Sequence, residues 1–331
     1  MKAVSYVEVH NAGMPVKIVF VPWVPGGDMR EKKSYCEREL DWLRKLLTYE
    51  PRGSSNSYGV LVTSPVNEFA HLGAVFFDPS GWHDMCGHAS MGLACYLVRS
   101  GLFKASSGKV ELALDTPAGV VKLIVETGAL AGRVRLVNVP SYVVSGFNVT
   151  SSKFGSVTVD LAYGGNLYGI VDLDELGVEW SLEALPELVE LARELWKPVE
   201  ERAKSTSSYE LYGFRFSKKI SSSPPRYYGI LLFGSPKRVL LDRSPSGTGS
   251  SAHLAHLYHL GLVKKGEVVE FLSAINTAFL GKVLDETETA GRKAIIPEIT
   301  TALRACYVTG YSTAILEPDD PLKEGFAPLP V

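Results

Sequence analysis

The sequence lacks long apolar runs and any marked excess of charge of one sign. No stretch of 18 consecutive apolar residues occurs in its 331 residues, so we expect no membrane-spanning helix. Acidic and basic residues nearly balance at a formal net charge of -2, so the sequence has no excess of positive charge that would attract nucleic acid or an anionic membrane. The first residues alternate like a strand and contain no apolar signal core, so we expect a cytoplasmic protein.

Motifs for metals, nucleotides and disulfides are also lacking. The cysteines show no CxxC pair and no zinc-ribbon spacing, so we expect them to be thiols: Cys36, Cys86, Cys95 and Cys306. The histidines around Cys86 have no matching ligand motif, and those at positions 253, 256 and 259 are typical of one solvated or packed helix face. Gly247-Thr248-Gly249 is neither a P-loop nor a dinucleotide fingerprint. We therefore expect no metal and no cofactor.

The chain does contain a diverged internal repeat. Cys86-Gly87-His88-Ala89-Ser90 resembles Ser246-Gly247-Thr248-Gly249-Ser250, which lies 160 positions later. At the same offset the likeness extends along a predicted helix to its glycine stop, at Gly101 and Gly261. Two shorter matches precede these loops in the same order. They pair residues 12–15 with 164–167, ahead of Ile18-Val19 and Ile170-Val171, and residues 59–62 with 229–232.

Each half of the repeat predicts a strand, a long helix, further strands, a glycine-led helix and more strands. Favourable caps begin the long helices at Asp28 and Ser181, and apolar stripes follow with helical spacing: Cys36, Leu40, Leu43 and Leu47 in one, Leu185, Leu188, Ala192 and Leu195 in the other. Alternating segments then predict strands at 110–114, 120–125 and 134–139, and at 268–272, 282–285 and 306–308. Strands dominate, so the predicted class is α+β.

The repeat also predicts the domain organisation. We expect a first half at residues 1–145, joined by C-terminal strands from about 300–331, and a second half at 146–300. The boundary falls in a predicted loop at 140–154, and residues 205–208 and 221–225 are predicted loops within the second half. Two related loops on two similar halves favour one site between the halves, to which each helix N-terminus would offer unpaired N–H groups for an anion.

Cys86 is the strongest candidate for chemistry. It precedes Gly87-His88 at the predicted start of a helix, a position that lowers a thiol pKa from its usual value of about 8.5. A buried structural cysteine is the competing interpretation. The polar counterpart loop with Ser246 and Thr248 favours a functional role, because a packing cysteine needs no such partner.

The neighbouring candidates each have two interpretations at this point. Ser246 is a far weaker acid than Cys86 and can act as a helix N-cap, as a hydrogen-bonding group, or as both. His88 and Thr248 can bind a substrate group or assist a leaving hydroxyl. Asp242 can bind a substrate ammonium group or pair with Arg243.

Taken together, these residues resemble the proline racemase family, which includes proline racemases, 4-hydroxyproline 2-epimerases and trans-3-hydroxy-L-proline dehydratases. Its two signatures resemble Asp84-Met85-Cys86-Gly87-His88 and Asp242-Arg243-Ser244-Pro245-Ser246-Gly247-Thr248-Gly249. Shorter similarities occur at residues 50–53, 163–166, 309–310 and 318–321, so the resemblance covers nearly the whole chain.

The resemblance implies a fold like that of diaminopimelate epimerase, with two α+β halves closing over a proline-type imino acid. It implies a base on each side of the α-carbon, one of them Cys86. It also implies that Gly87, His88, Gly247 and Thr248 bind the carboxylate, that Asp242 contacts the ring nitrogen and that Tyr58 occupies an aromatic pocket position. A homodimer is compatible with it.

Departures from the family pattern narrow the expected reaction. Ser246 stands where racemases have a second cysteine, whereas the dehydratases carry a threonine, which is also a hydroxyl residue. Met14 stands where the family usually has an acidic residue, and Ala89-Ser90 differs from the pair of small residues that the family usually has after its first signature. Because β-elimination needs only one strong base, we expect Cys86 to dehydrate trans-3-hydroxy-L-proline to pyrroline-2-carboxylate. The leaving 3-hydroxyl would receive its proton from Cys86, after that residue has taken the α-proton, or from His88. The alternatives are a racemase or hydroxyproline epimerase, and a non-catalytic imino-acid-binding or redox-sensing protein.

Overall fold

Strands make up most of the structure, a computed structural model that describes residues 2–104, 108–128, 131–302 and 306–327. Five α-helices accompany them in the described residues, so the predicted α+β class is confirmed. The chain divides into two compact units. Unit 1 comprises Met1–Leu136 and Thr301–Val331, and unit 2 comprises Val137–Thr300. Within the range predicted to join the first half, residues 303–305 and 328–331 lie outside the described residues.

Unit 1 is a strand layer with three helices. The helices are α1 (Met29–Glu39), α2 (Asp41–Thr48) and α3 (Gly87–Arg99). The strands are β1 (Lys2–Asn11), β2 (Met14–Phe20), β3 (Tyr58–Thr63), β4 (Leu72–Phe77), β5 (Trp82–His83), β6 (Lys109–Thr116), β7 (Gly119–Glu126), β8 (Val134–Val137) and β18 (Cys306–Leu316). Antiparallel pairing joins β18, β1 and β2 in that order, and β3 is parallel to β2. The strand β4 is antiparallel to β3 and β5 and parallel to β6, which is antiparallel to β7.

Unit 2 repeats this pattern with two α-helices. These are α4 (Leu185–Thr206) and α5 (Gly247–His259). Its strands are β9 (Tyr142–Ser151), β10 (Gly155–Tyr163), β11 (Leu167–Asp172), β12 (Leu211–Ser222), β13 (Pro225–Ser235), β14 (Arg238–Asp242), β15 (Val268–Leu272), β16 (Ala278–Thr289) and β17 (Arg292–Thr301). The strands β9, β10 and β11 pair antiparallel in that order, and β12 is parallel to β11. The strand β13 is antiparallel to β12 and β14 and parallel to β15, just as β4 is antiparallel to β3 and β5 and parallel to β6. The predicted pseudo-symmetry of the two halves is therefore confirmed.

The topology corrects one of the sequence matches. Residues 59–62 form β3, which follows the crossover helices and runs parallel to β2. The strand with that position in unit 2 is β12, not β13 with residues 229–232. The error has a simple cause: a glycine followed by three apolar residues fits any buried strand, so the pattern alone does not identify the equivalent one.

The long helices begin and end differently from the predictions. Asp28 caps α1 as predicted, because its Oδ1 accepts the Glu31 N–H at 2.8 Å. The predicted single helix is broken at Leu40, so α2 carries Leu43 and Leu47. Ser181 was expected to cap α4 but instead precedes a short 3-10 turn (Leu182–Ala184), where its side chain makes no capping hydrogen bond. The residue at the α4 N-terminus is Ala184.

Several predicted loops are regular structure. Residues 142–151 of the expected boundary loop form β9, residues 205–206 complete α4, and residues 221–225 belong largely to the hairpin between β12 and β13. The strand at 306–308 was counted with the second half of the repeat, whereas the predicted domain organisation joined residues from about 300 to the first half. It is the beginning of β18, which pairs with β1 in unit 1. Apolar alternation identifies a strand but not its partner, because the partner is determined by tertiary packing.

The glycine-led helices form the centre of each unit. Every residue from 87 to 97 of α3 and from 247 to 257 of α5 is buried, which is typical of a helix surrounded by other elements. Each helix N-terminus is thereby held at a fixed position relative to the strands around it. No helix in the described part of the chain is both long enough and apolar enough to cross a membrane.

Candidate active site

Cys86 is the N-cap residue of α3, as the glycine after it predicted. Its backbone is extended, and its carbonyl accepts the Ser90 N–H at 3.0 Å and the Ser90 hydroxyl at 2.9 Å. The first turn of α3 contains no acidic residue. The thiol therefore lies at the positive end of a helix dipole, which favours a thiolate.

His88 faces this thiol from the first turn of the same helix. Its Nδ1 lies 3.3 Å from Cys86 Sγ, and its ring is fully buried. Burial lowers the pKa of His88 to about 3, although the nearby charge of Asp78 acts in the opposite direction. The imidazole is therefore neutral at physiological pH. It can donate one hydrogen bond to a thiolate, but it cannot serve as a cationic acid.

Two residues of neighbouring strands orient His88. The Tyr58 ring at the start of β3 contacts the imidazole nearly edge-on, with ring centroids 4.5 Å apart at 76°. Asn11 Nδ2 donates to the His88 carbonyl at 3.2 Å. The structure thus brings together Tyr58, Cys86, Gly87 and His88, all predicted site residues of the first half.

Ser246 is the N-cap of α5, the position that its counterpart Cys86 has in α3. Its Oγ accepts the Gly249 N–H at 3.1 Å, so the predicted capping role is confirmed. Its backbone has φ 61° and ψ 121°, a left-handed conformation that is uncommon for a residue other than glycine. Such conformations persist where surrounding contacts impose them, often at functional sites.

Asp242 lies at the end of β14 and is buried. Its Oδ1 accepts the Ser244 N–H at 2.8 Å and the Ser244 hydroxyl at 2.9 Å, and that hydroxyl oxygen accepts the Ser246 N–H at 3.1 Å. Burial raises the pKa of Asp242 to about 7, while the bonds from Ser244 and the charge of Arg215 act to lower it. A cation near this carboxylate would therefore favour its ionised form.

Gly247 and Thr248 form the first turn of α5. Thr248 Oγ1 lies 2.6 Å from the hydroxyl of Tyr168 on β11, and both side chains are buried. A side chain at Gly164 would meet the Thr248 carbonyl, since a Cβ there would lie 2.3 Å from it. Unit 2 thus brings together Asp242, Ser246, Gly247 and Thr248, as predicted.

Sequence reasoning missed two buried residues behind this loop, Tyr168 and Arg215. Arg215 carried a signal, because it is the one charged residue in the apolar run at 211–216. Tyr168 carried none, since a tyrosine is ordinary in a strand.

Of the α5 histidines, His253 and His256 are packed and His259 is exposed, so both environments expected for them occur. His253 accepts a hydrogen bond from Arg215, and His256 Nε2 lies 2.9 Å from Asp160 Oδ2. Within the residues that the structure describes, no group of three or more His, Cys, Asp or Glu side chains is arranged to hold a metal ion. All four cysteines are buried thiols rather than disulfides.

Comparison with known proteins extends these similarities to almost the whole chain. The family model described as proline racemase matches residues 6–327. The proline racemase of Acetoanaerobium sticklandii is 33% identical over 341 residues, covering 98% of both chains. The trans-3-hydroxy-L-proline dehydratase of Bacillus cereus is 30% identical over 341 residues, again covering 98% of both.

A solved structure is similar over the same extent. The crystal structure of a hydroxyproline epimerase from Agrobacterium vitis, with bound trans-4-hydroxy-L-proline, superposes with a TM-score of 0.89. It is 26% identical in sequence and covers 98% of this chain and 95% of its own. These relatives catalyse different reactions, so the reaction of this chain depends on its own residues.

Proposed function

The chain belongs to the proline racemase family, and from that premise we propose that this enzyme dehydrates trans-3-hydroxy-L-proline, with Cys86 as the only residue that transfers protons. The thiolate removes the α-proton, the C3–O bond breaks, and the hydroxyl leaves as water after receiving a proton. The product is pyrroline-2-carboxylate. No electrons are exchanged with an outside acceptor, so the reaction requires no oxidant.

The stereochemistry of this substrate allows one residue to act as both base and acid. In the trans isomer the 3-hydroxyl is opposite the carboxylate, and the α-proton is also opposite the carboxylate. Proton and hydroxyl therefore leave from the same face of the ring. Cys86, once protonated by the substrate, is on the correct side to return that proton to the departing oxygen.

The observation that carries the proposal is that the residue equivalent to Cys86 is a serine, Ser246, and that its hydroxyl caps α5. A two-base mechanism needs a second group that exchanges protons near neutral pH, but a serine hydroxyl is far too weak an acid for this without an activating base. Ser246 Oγ already accepts the Gly249 N–H as a helix cap. A cap stabilises α5 and leaves the chemistry to Cys86.

His88 is the other residue that could protonate the leaving group. Its pKa of about 3 means that it is neutral at physiological pH, and a neutral imidazole is a very weak acid. We propose instead that His88 Nδ1 donates a hydrogen bond to the Cys86 thiolate, which keeps the thiolate available and oriented.

The remaining predicted residues bind the substrate in this proposal. The N–H groups in the first turns of α3 and α5, at Gly87, His88, Gly247 and Thr248, suit a carboxylate because they carry partial positive charge. Asp242 suits the secondary ammonium of the ring. Stabilising negative charge that develops at the carboxylate during α-proton removal lowers the barrier.

A racemase or epimerase is the second candidate, favoured by the names of the racemase and epimerase relatives. In that reaction Ser246 would have to deliver or accept a proton on the second face of the α-carbon. The same enzyme would then incorporate solvent deuterium into L-proline or trans-4-hydroxy-L-proline.

One experiment separates the two reactions. The purified enzyme is incubated in deuterated buffer, without added cofactor, with trans-3-hydroxy-L-proline, L-proline or trans-4-hydroxy-L-proline, and proton NMR follows the α-signal and new pyrroline signals. We expect only the 3-hydroxy compound to be consumed. The Ser246→Ala variant should retain this activity and Cys86→Ser should lose it. Formation of the opposite stereoisomer from proline or 4-hydroxyproline would support the isomerase instead.

A third outcome would reject both reactions. If the wild type exchanges no α-proton and forms no product with any of the three compounds, yet binds pyrrole-2-carboxylate, the chain is a binding protein. Pyrrole-2-carboxylate is a planar analogue of the deprotonated substrate, so its affinity is measured by calorimetry for the wild type and Cys86→Ser in parallel.

A further inference from the structure

The two units provide an internal comparison at equivalent buried positions. In unit 1 the parallel pair of β2 and β3 places Val60 opposite Ile18. In unit 2 the parallel pair of β11 and β12 places Arg215 opposite Ile170, the counterpart of Ile18 in the repeat. Arg215 therefore occupies the position of Val60. Both side chains are completely buried.

Two neighbours of Arg215 differ between the units in the same way. Ser217 lies two residues further along β12, where β3 has Val62. His253 lies 160 positions after Leu93, the offset that relates α5 to α3. Three apolar residues of unit 1 are thus replaced in unit 2 by an arginine, a serine and a histidine, all buried.

This replacement is not needed by the fold. Unit 1 builds the same arrangement of strands and central helix with valine and leucine at these positions. Burying a guanidinium is costly unless its donors are satisfied and its charge is opposed. The buried Arg215, Ser217 and His253 of unit 2 therefore indicate a role other than stabilising the fold, a role that the equivalent residues of unit 1 do not have.

The hydrogen bonds of Arg215 are directed at the loop that carries Ser246. Its Nη1 donates to the Pro245 carbonyl at 2.9 Å, and its Nη2 donates to Ser250 Oγ at 3.2 Å. Ser250 Oγ in turn donates to the same Pro245 carbonyl at 2.8 Å. The peptide immediately before Ser246 is thereby fixed from two sides.

A second set of contacts orients the guanidinium itself. Arg215 Nε donates to His253 Nδ1 at 3.2 Å, so the proton of this imidazole is on Nε2, which lies 2.9 Å from Ser217 Oγ. Burial, together with the charge of Arg215, lowers the pKa of His253 well below its usual value, so the ring stays neutral. Gly229 leaves the space for the guanidinium, because a Cβ there would lie 2.0 Å from Nη2.

We propose that Arg215, oriented by His253 and Ser217, is a positioning residue. It fixes the loop between β14 and α5 and the first turn of α5, and it holds Ser246 in its left-handed conformation. The catalytic consequence rests on the proposed function, since a displaced loop matters for turnover only if this loop binds the substrate. The structural consequence does not, because it concerns the loop in the ligand-free enzyme.

The test replaces the polar group by the residues of the other unit. The triple variant Arg215→Val, Ser217→Val, His253→Leu carries the side chains found at the equivalent positions of unit 1, and replacing buried charged groups by well-packed apolar ones is often tolerated. Arg215→Lys is the second variant, which keeps the charge but not the fork of donors. Leu195→Ala, in the buried face of α4, is the control for a loss of stability that arises outside the loop.

Amide hydrogen exchange of the free enzyme is the first readout. We expect exchange in peptides covering residues 246–250 to be about ten-fold faster in the triple variant, intermediate in Arg215→Lys and unchanged in Leu195→Ala. We expect kcat to fall about 100-fold in the triple variant and less in Arg215→Lys, because small displacements of reacting groups are costly.

The results separate the two proposals. Faster exchange at 246–250 with an inactive wild type supports the positioning role and rejects the proposed function. Unchanged exchange and unchanged kcat in the folded triple variant overturn the positioning role. Exchange at 246–250 that is as fast in Leu195→Ala as in the triple variant also overturns it, because the effect would then be a general loss of stability. If the triple variant does not fold, Arg215→Lys decides by the same two readouts.

Discussion

The sulfur of Cys86 lies 3.3 Å from Nδ1 of His88, and the imidazole that faces this thiol is neutral. The pair therefore differs from a thiolate–imidazolium pair, in which the histidine has taken the proton of the cysteine. In the proposed mechanism the histidine contributes one hydrogen bond to the charged sulfur, and the cysteine alone transfers the proton.

The first prediction concerns that hydrogen bond. His88→Leu removes the donor, so the pKa of the Cys86 thiol rises and its alkylation by iodoacetamide shifts to higher pH, by about one pH unit. His88→Asn keeps a side-chain N–H at a similar distance from the backbone and should shift the profile less. The measurement is the rate of alkylation between pH 5 and 10, followed by mass spectrometry of the peptide containing Cys86.

Alkylation at the other cysteines is distinguished by Cys86→Ser. Burial raises the pKa of Cys36 to about 12, with the charge of Glu37 adding to the rise, so this residue should react slowly throughout the range. Identical pH profiles for the wild type and His88→Leu would show that the imidazole does not stabilise the thiolate.

The second prediction concerns pH and Asp242. Burial raises its pKa to about 7 from an unfolded value of 3.8, so the native state retains a proton that the unfolded state releases. The contribution of Asp242 to the free energy of unfolding of the ligand-free enzyme should therefore fall as pH rises from about 4 to 7, by an amount on the order of a few kcal/mol, and then level off. Urea unfolding of the wild type and of Asp242→Asn at pH 4.5, 6 and 8 measures this contribution as the difference between the two proteins.

Ionisation of Asp242 should also govern activity, but activity should rise with pH where the stability contribution falls. A ring ammonium is bound by the carboxylate, not by the carboxylic acid, so kcat/KM should rise with pH through about 7. Asp242→Asn should lower kcat/KM and remove both dependences. If the variant keeps the acid limb of the wild-type profile, another group is responsible for it.

The positions of these groups differ in how well the sequence predicts them. The starts of α3 and α5 were predictable, because a glycine after a polar residue and a repeat at a fixed offset are local signals. The cap at Asp28 was predictable for the same reason. The wrong start of α4 at Ser181 shows the limit, since a favourable cap residue was present but the first turn is a 3-10 turn.

Contacts distant in sequence were not predictable. Arg215 reaches the Pro245 carbonyl 30 residues later, and Tyr168 reaches Thr248 80 residues later. Only the pairing of β11 with β12 and the packing of α5 bring these groups together. A single sequence shows an arginine in an apolar strand, but it does not show which carbonyl the arginine binds.

The third prediction concerns Gly249 in the first turn of α5. Alanine usually stabilises a helix by about 0.5 to 1 kcal/mol relative to glycine. Here the added Cβ would lie 2.9 Å from Ser246 Oγ and 3.1 Å from Arg215 Nη1, so Gly249→Ala should displace the cap. We expect a lower midpoint of thermal unfolding and a fall in kcat of about ten-fold or more.

A glycine without neighbours is the control for this substitution. A Cβ at Gly81 would meet nothing within 4 Å, so Gly81→Ala should leave both the midpoint and kcat near the wild-type values. A Gly249→Ala enzyme as stable and as active as the wild type would mean that the first turn of α5 accommodates the added methyl group without a displacement that affects Gly247 and Thr248.

The last prediction concerns the reaction itself and the residue opposite Cys86 in the repeat. Ser246→Cys places a second thiol at the N-terminus of α5, where the helix dipole favours a thiolate. Cysteine is unbranched at Cβ, so it fits the backbone at φ 61° about as well as serine, whereas a β-branched residue is more strained there. If the hydroxyl at this position is what limits the wild type to elimination, the variant should gain exchange of the α-proton of L-proline with solvent deuterium and formation of D-proline.

Dehydration of trans-3-hydroxy-L-proline should persist, since Cys86 is intact, and Cys86→Ser in the same background should abolish both reactions. A Ser246→Cys enzyme that dehydrates the 3-hydroxy compound but leaves proline unexchanged would show that the second thiol is not sufficient, and that the choice of reaction depends on groups other than Ser246.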